Sequence, residues 1–208
     1  MASTASKLPS DVTPAQVARI PPGMKDTSRR KIWTPVAKDW AIFEKYGRET
    51  NGEYTLLTVS VAPGGQNAAH WHGSYSETFT AKKGKVGIYS KTTGNILLWP
   101  GESMTVNAGE EHYFFNPGDE DIEMKIKLAP AREGFEKGLY ILYGLARDGK
   151  SANGGIPNNF LHSAIIFPMS DMWPTGPGGM FLTLAMKLFA PIGRLIGIED
   201  DLVNRYWG

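Results

Sequence analysis

The 208-residue sequence predicts an all-β fold, a double-sheet jelly-roll barrel, with an N-terminal arm and C-terminal helices. Short segments rich in β-branched residues follow one another from Trp33 to about residue 130, with glycine and proline at the corners. This spacing of strands and turns is typical of a jelly-roll barrel. Beyond residue 179, apolar residues recur at helical spacing instead. We therefore expect an arm at residues 1–35, a barrel at 36–132 and a partly helical extension at 133–208.

The first 35 residues are rich in serine, threonine and proline, and they end in the basic residues Arg29, Arg30 and Lys31. A short helix is predicted at 13–20, because Thr13 can cap it and Pro14 suits its first position. Two interpretations of this arm remain open. It is either a partly disordered leader or an ordered arm that crosses a neighbouring subunit.

The barrel strands are delimited by turn signals. The strand predicted at 54–61 is dense in β-branched residues, follows Asn51 and Gly52, and stops at Pro63. A histidine-bearing strand comes next, from about residue 70. Further strands are predicted at 85–90, 96–99, 103–106, 111–116 and 122–128.

The extension changes in character. Residues 138–145 are apolar and aromatic, and they suit either a strand or a short helix, whereas 153–159 and 174–179 are predicted as loops. Pro191 should kink or split the helix near residues 181–195, and a second short helix is expected at 198–206. We expect the apolar side of the first helix to pack on the barrel or across a dimer, with a membrane-surface helix as the rival interpretation. That side carries Phe181, Leu184, Leu188, Ile192 and Leu195, opposite Thr183, Lys187 and Arg194.

The composition of the chain excludes several kinds of partner and of chemical site. The formal charge of +1, from 22 basic and 21 acidic residues, gives no electrostatic case for binding nucleic acid or an anionic membrane. The chain has no cysteine, so disulfides, thiolate ligands and cysteine nucleophiles are excluded together. No uninterrupted apolar run reaches the roughly 18 residues that a membrane-spanning helix needs. We expect a cytoplasmic protein without stable membrane insertion, whose partners are small molecules or proteins.

Histidines and a glutamate are clustered after Gly64. His70 and His72 are separated by one residue, so on an extended strand both imidazoles point to the same face. Glu77 follows beyond the turn-prone pair Gly73 and Ser74, and a bent strand can bring its carboxylate to the same centre. These three side chains are candidate metal ligands from eight residues.

A second stretch supplies another histidine. His112 follows the glycine-bearing turn at Gly109, and it is the candidate fourth ligand. Three imidazoles and one carboxylate favour Fe, Mn, Ni, Co, Cu or Zn over Ca or Mg, which prefer oxygen ligands. We expect one divalent transition metal ion with open positions for water, oxygen or a substrate oxygen.

The two stretches resemble the two motifs of the cupin superfamily. The first motif, G-x5-H-x-H-x4-E-x6-G, is matched by Gly64, His70, His72, Glu77 and Gly84. The second motif, G-x5-P-x-G-x2-H-x3-N, is matched by Gly101, Gly109, His112 and Asn116, with Asn107 where proline is usual. This departure affects a turn and leaves the ligands in place. The resemblance covers residues 40 to 130 and implies a cupin barrel, although some cupins keep the barrel and bind no metal.

Other residues are placed near the centre by strand parity. Phe79 shares the face of Glu77, and Phe114 and Asn116 share that of His112, which gives a partly aromatic pocket wall suited to an apolar or aromatic molecule. Plain core packing is the alternative for the aromatic residues, and a turn or hydrogen-bonding role for Asn116. Tyr75 is the candidate catalytic residue, as a proton donor at the pocket mouth. For His162 in the extension we expect a surface or packed role.

The resemblance implies dioxygenases, decarboxylases and isomerases on this ligand set. We expect a metal-dependent enzyme acting on a small carbonyl-bearing or phenolic molecule, as an oxygenase or a metal-assisted lyase or decarboxylase. One alternative is a non-catalytic cupin that binds a small molecule. Another is a metal-free cyclase or epimerase that uses tyrosine or histidine as acid and base. Cupins commonly associate as dimers, so the resemblance also implies a homodimer.

Overall fold

The computed structural model describes residues 20–36, 39–152 and 154–208. The helix predicted at 13–20 falls, apart from its last residue, outside the described residues. Most of the remaining chain folds into two antiparallel sheets and a set of helices that follow them.

The larger sheet has six strands in the order β1-β2-β3-β10-β5-β8. β1 lies within the range predicted as an arm, yet it pairs with β2 along its whole length. In β10 the buried residues alternate with more exposed ones, so this sheet turns one face to the core. The strands are β1 (Lys31–Thr34), β2 (Asp39–Lys45), β3 (Thr55–Val61), β5 (Ser76–Lys83), β8 (Ser103–Val106) and β10 (Ile122–Ala129).

The smaller sheet has five strands in the order β11-β4-β9-β6-β7. Its edge strand β11 comes from the C-terminal extension and pairs with β4, the strand of the two neighbouring histidines. The strands are β4 (His70–His72), β6 (Val86–Ser90), β7 (Gly94–Leu98), β9 (His112–Phe115) and β11 (Met172–Pro174). The strands predicted between residues 54 and 128 are confirmed to within about two residues at each end.

Helices make up a larger part of the fold than an all-β assignment allows, so that prediction holds only in part. Residues 138–145, for which strand and helix were both open, lie inside a long helix, and the helix at 160–170 was not predicted. The helices are α1 (Pro22–Lys25), α2 (Glu133–Arg147), α3 (Phe160–Ser170), α4 (Gly179–Leu195) and α5 (Ile198–Tyr206), with 3₁₀ turns at Thr27–Arg30 and Gly47–Thr50.

Two apolar cores hold the extension in place, one shared with the barrel and one among its own helices. Phe135, Tyr140 and Trp207 belong to the main core between the sheets. A second cluster joins the helices to one another through Ile141, Leu145, Ile165, Ile166, Leu202 and Tyr206. At Gly144 a Cβ atom would lie 2.1 Å from Cδ1 of Tyr206, so α2 and α5 approach as closely as glycine permits.

Helix α4 buries a different side from the one that carries its large apolar residues. Phe181, Leu188 and Leu195 are 77%, 67% and 87% exposed, so they do not pack on the barrel, and their packing across a dimer stays a prediction. The buried stripe of α4 consists of Gly179, Met186, Ala190 and Gly193. The small residues of this stripe let α4 approach α3 closely. A search for hydrophobic periodicity does not find them, because glycine and alanine count little as hydrophobic residues. Pro191 does not split α4, which continues to Leu195.

Within the described residues, no single helix is long and apolar enough to cross a membrane. α4 and α5 taken together reach the required length and composition, but they are bent by 80° at the break between them.

Candidate metal centre

The four predicted ligands lie together between the two sheets. β4 and β9 pair at His70 and His112 in the smaller sheet, and Glu77 approaches from β5 in the larger sheet. All four side chains, including His72, are buried. One ligand atom from each residue lies within 4.8 Å of all the others, so the group can hold a metal ion.

Backbone carbonyls set the orientation of all three imidazoles. The Nδ1 atom of His70 lies 2.7 Å from the carbonyl oxygen of Ala68, and Nδ1 of His72 lies 3.0 Å from that of Asp171. The Nδ1 atom of His112 lies 2.8 Å from the carbonyl oxygen of Glu110. Because a carbonyl oxygen can only accept a hydrogen bond, Nδ1 carries the proton in each ring. In the neutral imidazoles the Nε2 lone pairs therefore face the centre of the cluster, as metal ligation requires.

The spacing of the ligand atoms fits a metal ion. The Nε2 atoms of His70 and His72 are 3.1 Å apart, and Oε2 of Glu77 lies 3.0 Å from Nε2 of His112 and 3.6 Å from that of His72. Bonds of about 2.0–2.2 Å to a transition metal place neighbouring ligand atoms about 3 Å apart. Two unprotonated nitrogens at such a distance repel each other unless a cation lies between them. The cluster thus has the donor set and spacing for one divalent transition metal.

The charges of the cluster agree with this arrangement. Burial, together with the charges of His72 and His112, lowers the pKa of His70 to about 3, so this ring is neutral. Burial alone would raise the pKa of Glu77, but the charge of His72 and the close Nε2 atoms of His112 and His72 hold it well below its ordinary value. Burial alone would lower the pKa of His112, but its bond to Glu77 raises it. A lasting negative charge on Glu77 among imidazoles suits a divalent cation.

The C-terminal extension orients His72. β11 pairs with β4 along its length, with Met172 opposite His72. The residue before β11, Asp171, has φ of +51°, and its carbonyl accepts the hydrogen bond from His72. The Asp171 side chain is held by hydrogen bonds from Ser74 and from Trp173 Nε1. Sequence reasoning missed this segment because a three-residue strand after a helix carries no periodic signal.

Tyr75 lies behind His72 and not at the mouth of the pocket, where the sequence placed it. Its ring stacks on the His72 ring at a centroid distance of 4.2 Å, and its hydroxyl donates to the carbonyl of Ser170 at 3.0 Å. Burial, with the charge of Glu77, raises the pKa of Tyr75 well above its ordinary value. Its predicted part as proton donor stays a prediction, while its contacts are those of a residue that positions His72.

A cavity of about 430 Å³ opens beside the cluster, between the larger sheet and the C-terminal helices. His70 and Glu77 line one part of it, so two of the four ligands face its interior. Most other lining side chains are apolar, among them Leu57, Val59, Ile126, Leu139 and Met186. The volume lies within the range of small-molecule sites. The cavity thus gives a small molecule access to two of the four candidate ligands.

The three predicted pocket residues have different surroundings. Phe114 lines the cavity. Phe79 is fully buried in the barrel core, with its ring 6.0 Å from that of His112. Asn116 donates to the carbonyls of Val61 and Glu120 and accepts from the Gly118 amide, which is the turn role considered from the sequence. Neither Phe79 nor Asn116 is among the described residues that line the cavity.

His162 lies on α3, outside the group of four histidine and glutamate ligands. Its Nδ1 atom is buried and has no hydrogen-bond partner among the described residues. Burial and the charge of Lys150 lower its pKa. His162 therefore serves as a reference histidine for the experiments on the cluster.

Several solved structures are similar to part of this chain. Three of them match less than half of the chain at low identity. A sugar phosphate isomerase from a cupin superfamily, from Silicibacter pomeroyi, has a TM-score of 0.41 and 15% identity over 48% of this chain and 69% of its own. A protein described as a predicted oxalate decarboxylase, from Thermotoga maritima, has a TM-score of 0.42 and 15% identity over 44% and 80%. The polyketide cyclase RemF from Streptomyces resistomycificus has a TM-score of 0.40 and 19% identity over 46% and 68%.

Sequence comparison identifies a known domain in part of the chain. None of the curated protein sequences compared with the chain matches it significantly. The family model described as "Cupin domain" matches residues 57–128, which include all four candidate ligands. Residues 57–128 are thus a cupin domain, in agreement with the two motifs that contain the candidate ligands.

Proposed function

We propose that the protein is a metal-dependent enzyme that acts on a small, mostly apolar molecule with a carbonyl or phenolic group. The observation that carries this proposal is the convergence of three imidazole Nε2 atoms and one carboxylate oxygen beside an apolar cavity. The proposed ion is Fe, Mn, Ni, Co, Cu or Zn, held by His70, His72, Glu77 and His112. When bound there, a divalent transition metal supplies Lewis-acid or redox chemistry to a substrate oxygen.

The chain's own side chains define how a substrate would approach. His70 and Glu77 line the cavity, while His72 and His112 are behind them and are not among the lining residues. A carbonyl or phenolic oxygen would therefore enter past His70 and Glu77. Leu57, Val59 and Ile126 would surround the rest of the molecule and exclude water, which strengthens electrostatic interactions at the cluster.

The reaction class belongs to the proposal as well. We favour an oxygenase or a metal-assisted lyase or decarboxylase, because the cluster offers metal ligands but little acid–base machinery around them. The hydroxyl of Tyr75, the nearest candidate acid, is engaged with a backbone carbonyl. The apolar cavity also favours a second candidate, a cupin that binds the same molecule without turning it over. The homodimer and the cytoplasmic location expected from the sequence stay predictions.

Elemental analysis of anaerobically purified protein is the first test. We expect close to one equivalent of a transition metal in the wild type and in His162→Ala, and a loss of that metal in His70→Ala. Equal metal content in all three proteins would place the ion elsewhere. Absence of metal from the wild type, even after incubation with each candidate ion, would refute the metal-dependent enzyme.

Turnover separates the two candidate functions. The metal-loaded protein is screened with phenolic and diketone compounds for oxygen uptake and for loss of the starting compound. We expect turnover in the wild type and none in His112→Ala after loss of its metal. Binding of these compounds without any conversion would favour the non-catalytic cupin.

A further inference from the structure

A polar pair lies in the cavity wall away from the metal ligands. Asp39 opens β2 and Tyr143 belongs to α2, and both line the same cavity as His70 and Glu77. In the larger sheet, β3 and β10 separate β2 from β5, which carries Glu77. Three strand spacings correspond to about 14 Å across the sheet. The cavity thus joins two polar ends.

One oxygen of Asp39 lacks a hydrogen-bond donor. Its Oδ1 atom is buried and has no hydrogen-bond partner within the part of the chain that the structure describes. Burying a carboxylate oxygen in an apolar wall without a donor is costly, so such an oxygen calls for an explanation. The apolar core does not require a carboxylate at this position. A ligand that brings a donor would satisfy it.

Tyr143 completes the polar end. Burial raises the pKa of Asp39 to about 6, and a hydrogen bond from the Tyr143 hydroxyl lowers it in part. Burial and the charge of Asp39 raise the pKa of Tyr143 well above its ordinary value, so its hydroxyl remains a donor. Asp39 is therefore ionised above about pH 6. The carboxylate accepts from the Tyr143 hydroxyl, while its Oδ1 atom has no donor and the residue lines the cavity.

We propose that Asp39 and Tyr143 form the second polar end of the ligand site, and that the ligand is elongated. Its middle is apolar, and the end remote from the metal ligands carries a hydroxyl or another hydrogen-bond donor, which Asp39 accepts. This assignment rests on the proposed function in that the opposite end of the ligand meets His70 and Glu77. Between the two ends the wall offers apolar contacts from Ala41, Leu57, Val59, Ile126 and Leu139.

The C-terminal extension gains a role from this assignment. Tyr143 and most of the apolar residues facing the sheet come from helices α2 to α4. The barrel supplies the metal ligands and Asp39. The extension then supplies the hydroxyl that holds Asp39 and the wall that selects the length of the ligand.

Binding of two matched probes tests the assignment without knowledge of the substrate. The probes are para-hexylphenol and para-hexylanisole, which share the apolar tail and ring but differ in the hydroxyl donor. Affinities are measured by calorimetry at about pH 8, above the pKa of Asp39. A hydrogen bond to an ionised group is worth a factor of about ten or more, so the wild type should prefer the phenol by at least about tenfold. The preference should vanish in Asp39→Leu.

Two further variants locate the hydroxyl. His70→Ala alters the metal end and should keep the preference, as should Tyr143→Phe, which retains Asp39. Equal affinity of both probes for the wild type would overturn the assignment, and this comparison needs no variant to fold. A preference that survives in Asp39→Leu and is lost in His70→Ala would place the hydroxyl at the metal ligands and overturn it too, as would failure of both probes to bind. If the wild type prefers the phenol by the full factor but contains no metal and shows no turnover, the proposed function is refuted and the assignment of Asp39 is not.

Discussion

Replacing Asp39 by asparagine should stabilise the protein above pH 6 and leave its stability nearly unchanged near pH 4. On folding, burial raises the pKa of the Asp39 carboxyl from its ordinary 3.8 to about 6. The folded protein therefore holds this proton more tightly than the unfolded chain. Between these two pH values the unfolded state binds fewer protons, so the free energy of unfolding falls as pH rises through the interval. The asparagine side chain does not titrate and avoids this loss.

The magnitude follows from the two pKa values. Each pH unit between them corresponds to about 1.36 kcal/mol, so the wild type loses about 3 kcal/mol between about pH 4 and pH 6. This figure is an upper estimate because Asp39 is only partly shielded from water. Other titrating groups change the stability of both proteins alike. Their contribution cancels when the variant is compared with the wild type at the same pH.

Urea unfolding at about pH 4 and about pH 8 measures the effect. We expect Asp39→Asn to gain about 2–3 kcal/mol over the wild type at the higher pH, and less than about 0.5 kcal/mol at the lower. Asp119→Asn, in an exposed turn, is the control and should give the same small difference at both pH values. A variant that is less stable than the wild type at about pH 8 would show that Asp39 is compensated in the fold. This result would also mean that Oδ1 of Asp39 has a partner in the fold, which would contradict the ligand assignment.

Three other predictions concern the extension. Asp171→Ala removes the side-chain bonds that hold the carbonyl opposite His72, so the affinity for the metal should fall about tenfold to a hundredfold in a chelator competition assay. Gly144→Ala brings a Cβ atom 2.1 Å from Tyr206, so the free energy of unfolding should fall by about 1–3 kcal/mol in urea. Leu188→Glu combined with Leu195→Glu places charges on the exposed face of α4 and should convert the expected dimer into a monomer in analytical ultracentrifugation.

Each of these three predictions has an outcome that would contradict it. An unchanged affinity in Asp171→Ala would mean that β11 alone orients His72. An unchanged stability in Gly144→Ala would require α5 to move without cost, which a crystal structure of the variant would reveal. A wild type that is monomeric and sediments with liposomes would favour the rival interpretation of α4 as a membrane-surface helix.

The barrel and its ligands were readable from the sequence for local reasons. The strand at residues 55–61 is predicted by its β-branched residues, which lie between two turns. Asn116 makes the hydrogen bonds of the turn that its position in the motif suggests. His70 and His72 point to one centre because neighbouring side chains alternate along a strand. Such features depend on a few adjacent residues, so no knowledge of the tertiary structure was needed.

What the sequence concealed depends on contacts between distant segments. Nothing near Asp39 indicates that Tyr143, on a helix about a hundred positions later, will enclose it. The buried stripe of α4 contains Gly179 and Gly193, which pack well because they are small and which a hydrophobic pattern ignores. Tyr75 was misplaced for the same reason, since the carbonyl of Ser170 that receives its hydroxyl lies far along the chain.

The pairing of β11 with β4 has a consequence for how the centre is assembled. The hydrogen bond from His72 to Asp171 closes a loop of 99 residues, and the hydroxyl of Tyr75 closes another of 95. Contacts of such high sequence separation carry the cost of loop closure and form late during folding. His70, Glu77 and His112 can be brought together by the sheets alone, whereas His72 acquires its final orientation only after α3 has docked. Capture of the proposed metal would thereby depend on completion of the fold, so that a chain with a loosened extension would bind the ion weakly while keeping an intact barrel.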